Sequence, residues 1–270
     1  MIEKSMTTEG DTQSLVPLPD RSLTKTAMGG RIVSAMVGET LCALQDAIFQ
    51  LDALVTEGKR IRSGKGLTPE NARAFDLFLR AGKAGHSEAQ FLLYQCYCSG
   101  TGVLPNMSEA IAWVQKAAHA GFVQSCIVMW GFFRQGRFPE FPKSEENAIV
   151  WLKRAIESDP SLTGRGAGAR ICDFYEGRND IAEALKWHKK GVEAGEPDFI
   201  YSGFKLCVER RVFETDAPEA YIWFRLTAVE TQIAGAAERV NELTKIMSSA
   251  DVTSADQRFA ETHSKYRANL

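Results

Sequence analysis

The fold is most clearly encoded in SEAQFLLYQCYCSGTGVLPNMSEAIAWVQKAAHAGF, residues Ser87–Phe122. Its first part has the composition of a helix, and it ends at Gly100 and Gly102, which suit a helix C-terminus and a turn that needs positive φ. After the short loop a second helical pattern begins, and Gly121 marks its end. The stretch therefore predicts two helices joined by a tight loop.

The same pattern recurs along the chain. A large residue returns every 36 to 38 residues, and an alanine stands three residues before each occurrence. A mostly small residue stands four residues after it, and these positions share one helical face. This arrangement indicates a ring that packs where another helix approaches closely, in five consecutive units. The five large residues are Leu77, Trp113, Trp151, Trp187 and Trp223.

The residues of this pattern resemble a known family. Ser87–Phe122 is similar to the Sel-1-like repeat (SLR), a relative of the tetratricopeptide repeat (TPR). Gly64–Gly85 is similar over its second half, and Asp216–Glu230 resembles the repeats that often end such arrays. The family's small residue in the first helix is replaced by Tyr94 in the second unit and by Trp130 in the third. The resemblance covers about residues 50–235.

The resemblance implies an all-α protein, a right-handed α-α superhelix or TPR/SLR-like solenoid of about five helix pairs with N- and C-terminal capping helices. We expect a flexible tail at 1–30 and a single helical-repeat domain at 31–270. In the C-terminal cap, Ser254-x-x-Gln257 is a capping-box signature that predicts the start of the last helix. The repeats are predicted at about 50–86, 87–122, 123–160, 161–196 and 197–235, and the cap at 236–270.

An apolar stripe precedes the array, with spacings of three and four residues from Val37 to Val55. Such a stripe is typical of a helix with one buried face, here an N-terminal cap on the first repeat. The same spacing also suits a dimerisation seam, so a homodimer through this helix is the alternative. The stripe consists of Val37, Leu41, Leu44, Ile48, Leu51 and Val55.

The composition excludes several classes of protein. A net charge of −2 together with 44% hydrophobic residues argues against disorder. The same small net charge gives no electrostatic reason to bind nucleic acid. No apolar run is long enough to span a membrane. The four histidines and six cysteines form no metal-binding pattern, and we expect no metal and no cofactor. The cysteines are expected to be reduced and mostly buried. Without a signal-peptide pattern we expect a cytoplasmic location, with a non-cleaved export signal left open.

The resemblance also implies a binding surface, because the first helices of TPR-like arrays line the concave face. A second candidate is the loop between Gly136 and Ser144, where Phe138 and Phe141 stand in the one insertion of the array. The alternative for the loop is that both rings pack against the next helix pair. The concave-face candidates are Glu88, Phe91, Gln95, Ser99, Gln124, Ile127, Arg134, Gln135, Asp173, Glu176, Tyr201 and Lys205.

The leading hypothesis is a non-enzymatic scaffold or adaptor of a bacterial type that binds a peptide or protein partner on the concave face. No catalytic residues are predicted. The alternative is a secretion-associated effector, an immunity protein or an adaptor for one. Less favoured is a β-lactamase-like hydrolase, because this chain lacks the regular cysteine pair that such SLR proteins carry in each repeat.

Overall fold

The structure, a computed structural model, describes Ala43, residues 45–164, residues 166–231, Ile233 and residues 235–270. Its contacts separate the chain into two units, Met1–Leu51 and Asp52–Leu270. In the first unit, residues 45–51 are helical. The second unit holds the helical array.

The second unit is all-α over its described residues, which confirms the predicted fold class. Its helices, labelled in chain order, are α1 (52–61), α2 (Pro69–Lys83), α3 (Ser87–Ser99), α4 (Met107–His119), α5 (Val123–Gln135), α6 (Glu145–Ser158), α7 (Ala167–Gly177), α8 (Ile181–Glu193), α9 (Asp198–Glu209), α10 (Val212–Thr215), α11 (Ala217–Glu230), α12 (Ala236–Ile246) and α13 (Ser249–Ala268). A short 3₁₀ helix, Pro160–Thr163, follows α6.

These helices pair in chain order. Helix α1 precedes α2, and the pairs α3–α4, α5–α6 and α7–α8 pack closely, as do α9 and α11. Each pair also packs against the next, and α13 folds back onto α11 and α8 to cover the C-terminal end. We call α3, α5, α7 and α9 the first helices, and α2, α4, α6, α8 and α11 the second helices.

Each of the five second helices begins with a side-chain cap. The side-chain oxygen of the residue before the helix accepts a hydrogen bond from the backbone N–H three residues later. Such a cap satisfies one of the orphan donors of the first turn and favours the helix start by about 1 kcal/mol. This local signal explains why the second helices begin in register along the array. The capping residues are Thr68, Asn106, Ser144, Asp180 and Asp216.

The repeated tryptophans form much of the core between the helices. Trp113, Trp187 and Trp223 are 6%, 3% and 1% exposed. The ring of Trp223 lies against Gly203 of α9, where an added Cβ would stand only 2.4 Å from the ring. Trp151 departs from this pattern because it is only partly buried, beside the ring of His119 at 5.1 Å.

The last helix starts earlier than predicted. The N-cap of α13 is Ser248, whose hydroxyl accepts a hydrogen bond from the N–H of Asp251 at 3.1 Å. The Ser248 hydroxyl in turn donates to the Asp251 carboxylate at 2.8 Å. Ser254 and Gln257 lie inside the helix, so the prediction that they open it is wrong. The two hydrogen bonds at Ser248, six residues upstream of Ser254, form the cap.

The predicted N-terminal stripe falls only partly within the described residues. Val37, Leu41 and Leu44 lie outside them, as do the predicted tail and the start of the predicted domain. In the second unit, Val55 is buried in the array. The choice between a cap and a dimerisation seam therefore stays a prediction.

Candidate functional site

The predicted concave-face residues all lie on the first helices, and we call the surface formed by α3, α5, α7 and α9 the first-helix face. Within the described residues, three grooves open along this face, each between two consecutive first helices. They differ in chemistry, and we name them the apolar groove, the Trp130 groove and the acidic groove.

The apolar groove lies between α3 and α5 and has a volume of about 430 Å³. Rings and aliphatic groups form about half of its exposed lining, and polar groups form the rest. Gly131 leaves room in its wall, because an added Cβ there would touch nothing within 4 Å. Burial raises the pKa of the Tyr94 hydroxyl at its edge to about 12. The groove is lined by Tyr94, Cys98, Met107, Val128, Gly131, Phe132, Gln135, Arg137 and Phe138.

The Trp130 groove lies between α5 and α7 and has a volume of about 350 Å³. The guanidinium groups of Arg134 and Arg170 lie 4.7 and 5.2 Å from the ring centroid of Trp130. These are cation–π contacts, which hold a guanidinium group by its face and leave its N–H edge available to a ligand. Lys143 adds a third cation, while Glu145 and Asp173 contribute two carboxylates to the lining.

The acidic groove lies between α7 and α9 and has a volume of about 280 Å³. Four carboxylates line it, with Lys205 as the accompanying cation. Lys205 lies 3.6 Å from Glu209 on its own helix, an exposed pair of little energetic weight. The groove carries a formal excess of negative charge. Its acidic residues are Asp173, Glu176, Asp198 and Glu209.

A buried histidine supports the acidic groove. His188 of α8 is 4% exposed and lines the groove between the rings of Phe199 and Trp223. Its Nε2 lies 2.8 Å from a carboxylate oxygen of Glu176, and because a carboxylate only accepts, the Nε2–H is the donor. The Nδ1 atom has no hydrogen-bond partner among the described residues. Glu176 is therefore held in place, while a buried acceptor in the wall stays unfilled.

Several predicted residues lie outside the grooves. Glu88 forms an ion pair with Lys59, and the Phe91 ring packs half-buried between Tyr94 and Phe122, at 5.7 and 5.3 Å. The Ser99 hydroxyl donates to the backbone carbonyl of Gln95. The remaining members of this group, exposed on the first helices or at their ends, are Gln124, Ile127 and Tyr201.

The two phenylalanines of the insertion loop differ in burial. Phe141 is 3% exposed and packs against the rings of Phe132 and Phe133 at 5.3 Å each, so its ring has no free face for a partner. Phe138 is half-buried, 4.9 Å from Phe132, and lines the apolar groove. The loop contributes one partly accessible ring to the first-helix face.

Sequence reasoning placed Arg134 and Asp173 on the face but missed Arg170 and the role of Trp130. The available signal was the bulk of Trp130, which replaces a small residue of the family. No sequence signal pointed to Arg170, because its contact with Trp130 forms only where one helix pair packs on the next. Tyr94, the other bulky replacement, also lines a groove.

The described residues show no metal site and no membrane span. No three His, Cys, Asp or Glu side chains gather in a way that could hold a metal ion, within that part of the chain. None of the described helices combines the length and apolar composition that crossing a membrane requires. The described cysteines are free thiols, and Cys98 is the exposed one among them. Burial raises the pKa of the Cys96 thiol to about 11 and that of Cys172 further still.

Comparison with known proteins identifies the repeats. A family model for the Sel1 repeat matches residues 59–86, 87–122, 132–160 and 174–196. Over 137 residues, 50% of this chain, the sequence is 26% identical to chitin synthase regulatory factor 3 of Schizosaccharomyces pombe. The match spans 14% of that relative's length.

Solved structures with a similar fold include three bacterial proteins. A Sel1 repeat protein from Oxalobacter formigenes is 24% identical, with 66% of this chain and 65% of that chain covered and a TM-score of 0.39. A protective antigen of uropathogenic Escherichia coli with an SLR fold is 17% identical (72% and 49% covered, TM-score 0.32). An immunity protein from Pseudomonas aeruginosa is 17% identical (82% and 82% covered, TM-score 0.32).

The helix pairs, the recurring tryptophans and the four matches agree in register. The predicted resemblance to the SLR family is confirmed by the repeat matches, and the solenoid fold by the paired helices. Residues 59–196 therefore carry Sel1 repeats, whose paired helices stack into an α-solenoid.

Proposed function

We propose that the protein is a non-enzymatic scaffold or adaptor that binds a protein or peptide partner on the first-helix face. Sel1-repeat solenoids are typically used for protein–protein interaction, and extended surfaces of stacked repeats suit that role. The alternative of a secretion-associated effector or immunity protein stays a prediction.

The observation that carries the proposal is the row of three open grooves along one face. Some of their charged side chains form internal pairs, Glu176 with His188 and Lys205 with Glu209, but others do not. Arg134, Arg170, Asp173 and Asp198 form no ion pair with other described residues. Charged groups held on a rigid helical scaffold and left without internal partners are suited to a ligand of complementary charge.

The test is capture of partners from the native cell lysate by the full chain. The face variant is Arg134→Glu/Arg170→Glu/Phe138→Ala, which reverses two charges and removes one ring within the grooves. We expect proteins held by the wild type to be lost by this variant, because like charges now face the partner. Bound proteins are identified by mass spectrometry, and circular dichroism checks that each bait is folded.

The matched control makes the same kind of chemical changes away from the face. Arg73→Glu/Arg80→Glu/Val150→Ala alters exposed residues of α2 and α6. The control should capture the same proteins as the wild type. Equal capture by all three baits, or no protein captured by the wild type, contradicts the proposal.

A further inference from the structure

The three grooves follow one another along the first-helix face in a fixed chemical order. From α3 to α9 they are apolar, then basic beside Trp130, then acidic. From this order we infer the kind of partner. Resting on the proposed function, we propose that the face binds an extended peptide segment whose large apolar, acidic and basic side chains occupy the three grooves in turn.

The apolar groove suits one large apolar side chain. Its cavity of about 430 Å³ is walled by Tyr94, Phe132 and Phe138. Gly131 keeps the space open where any larger residue would extend into it. A buried aromatic or leucyl side chain in such a pocket is the usual anchor of a peptide interface.

The Trp130 groove suits a carboxylate. Arg134 and Arg170 are both stacked on the Trp130 ring, so little side-chain freedom is lost when they bind. Planar guanidinium groups bind carboxylates through two parallel N–H···O bonds. The lining carries three cations against two carboxylates, with the two guanidinium groups held against the ring.

The acidic groove suits an ammonium or guanidinium group. Its four carboxylates outnumber the one cation, Lys205. Glu176 is held in place by the buried His188, which lines the groove. Asp173 lines both this groove and the Trp130 groove, so the change of sign occurs between neighbouring sites.

The spacing of the side chains follows from the helices that separate the grooves. Adjacent grooves lie on either side of one helix, α5 or α7. A helix with its side chains is about 10–12 Å across, and an extended peptide advances about 3.3 Å per residue. Anchors in successive grooves are therefore about three residues apart. The peptide reads apolar-x-x-acidic-x-x-basic in one chain direction, or the reverse in the other.

The test uses synthetic fluorescent nonapeptides and the full chain, measured by fluorescence anisotropy. One peptide carries Phe, Glu and Lys three residues apart, a second carries them in the reverse order, and Ser and Ala fill the other places. A third peptide, with Glu in the central place exchanged for Lys, has the wrong charge for the Trp130 groove. We expect one of the first two to bind at least about tenfold more tightly than the third.

Charge reversal on the protein should reverse this preference. In Arg170→Glu the central-Lys peptide should gain and the central-Glu peptide should lose affinity, each by about tenfold or more. Glu209→Lys leaves three carboxylates against two cations in the acidic groove, so it should reduce the preference for a terminal Lys over a terminal Glu without reversing it. Arg73→Glu, with the same charge change on α2, should leave the preference of the wild type unaltered.

The scaffold proposal and the proposed order of peptide side chains are contradicted by different results. If none of these peptides binds with a Kd below about 1 mM, or if reversal does not follow the grooves, the inferred order is wrong. In that case capture of partners lost by the face variant would still support the scaffold role. Loss of both results would remove the scaffold proposal as well.

Discussion

At the residue scale, Trp130 and Tyr94 show how a departure from the repeat pattern changes the surface. The family's small residue lets helices approach closely, whereas these rings line grooves on the first-helix face. Gly203 illustrates the opposite case, since Trp223 of the second helix packs directly on it. A ring that packs on a glycine fills the core, whereas a ring that replaces a small residue lines an open groove.

Replacement of Gly203 by alanine should destabilise the protein. The new Cβ would stand 2.4 Å from two ring carbons of the fully buried Trp223, which has no room to move. Overpacking of this kind costs about 1–3 kcal/mol. The measurement is the free energy of unfolding by urea.

Gly131→Ala is the matched control for this change. Gly131 also lies inside a first helix, but an added Cβ meets nothing within 4 Å. Alanine should stabilise that helix by about 0.5–1 kcal/mol through its lower conformational entropy. An equal effect of the two substitutions would show that the Trp223 contact is not as close as described.

Cys98 should react with alkylating reagents, but slowly at neutral pH. Its side chain is exposed, whereas partial burial raises the pKa of the thiol above its ordinary value. Because only the thiolate reacts, the rate should rise about tenfold per pH unit and still be climbing at pH ~9. Mass spectrometry of a Cys42→Ser protein treated with iodoacetamide follows the reaction. A rate that levels off below about pH 8 would contradict the raised pKa.

At the element scale, capping determines where the helices begin. The second helices carry a side-chain cap, while α5, α7 and α9 begin without one. These three first helices are therefore positioned by packing against the second helices more than by local signals, whereas α3 is capped by the His86 side chain. In α13 two serines compete as the start, and the upstream one makes the cap.

Substitution of Ser248 and of Ser254 should distinguish the observed start of α13 from the predicted one. Ser248→Ala removes the hydroxyl that accepts from the Asp251 N–H, and should cost about 1 kcal/mol. Ser254→Ala, at an exposed position inside α13, should change the free energy of unfolding by less than about 0.5 kcal/mol. Thermal unfolding of both variants gives the comparison. A larger loss for Ser254→Ala would restore the predicted start at that residue.

At the scale of the whole molecule, each helix pair depends on its neighbours. Buried side chains join consecutive pairs, and α13 covers the C-terminal end through Phe259 and Tyr266. Stability in such arrays is approximately a sum of repeat and nearest-neighbour contributions. Damage to one pair should therefore loosen adjacent pairs before distant ones.

Trp113→Ala tests this dependence. Removing the buried ring should cost about 3–5 kcal/mol and speed amide hydrogen exchange most in α3, α4 and α5. The half-buried Trp151 should cost less when replaced by alanine. Exchange measured by mass spectrometry locates the effect. Equal acceleration throughout the array, including α11 and α13, would mean that the molecule unfolds as one cooperative unit.

The helix pairs, their period and most of their starts could be predicted from the sequence, because they depend on local chemistry. The spacing of Trp113 and its counterparts, caps such as Asn106, and glycines such as Gly100 with a φ of +71° are all local features. One contact and two degrees of burial became evident only from the folded chain: Arg170 meets Trp130, Phe141 is buried and Trp151 is only partly buried. They arise between packed elements, where the relative position of helices and loops depends on side-chain packing rather than on periodicity within one helix.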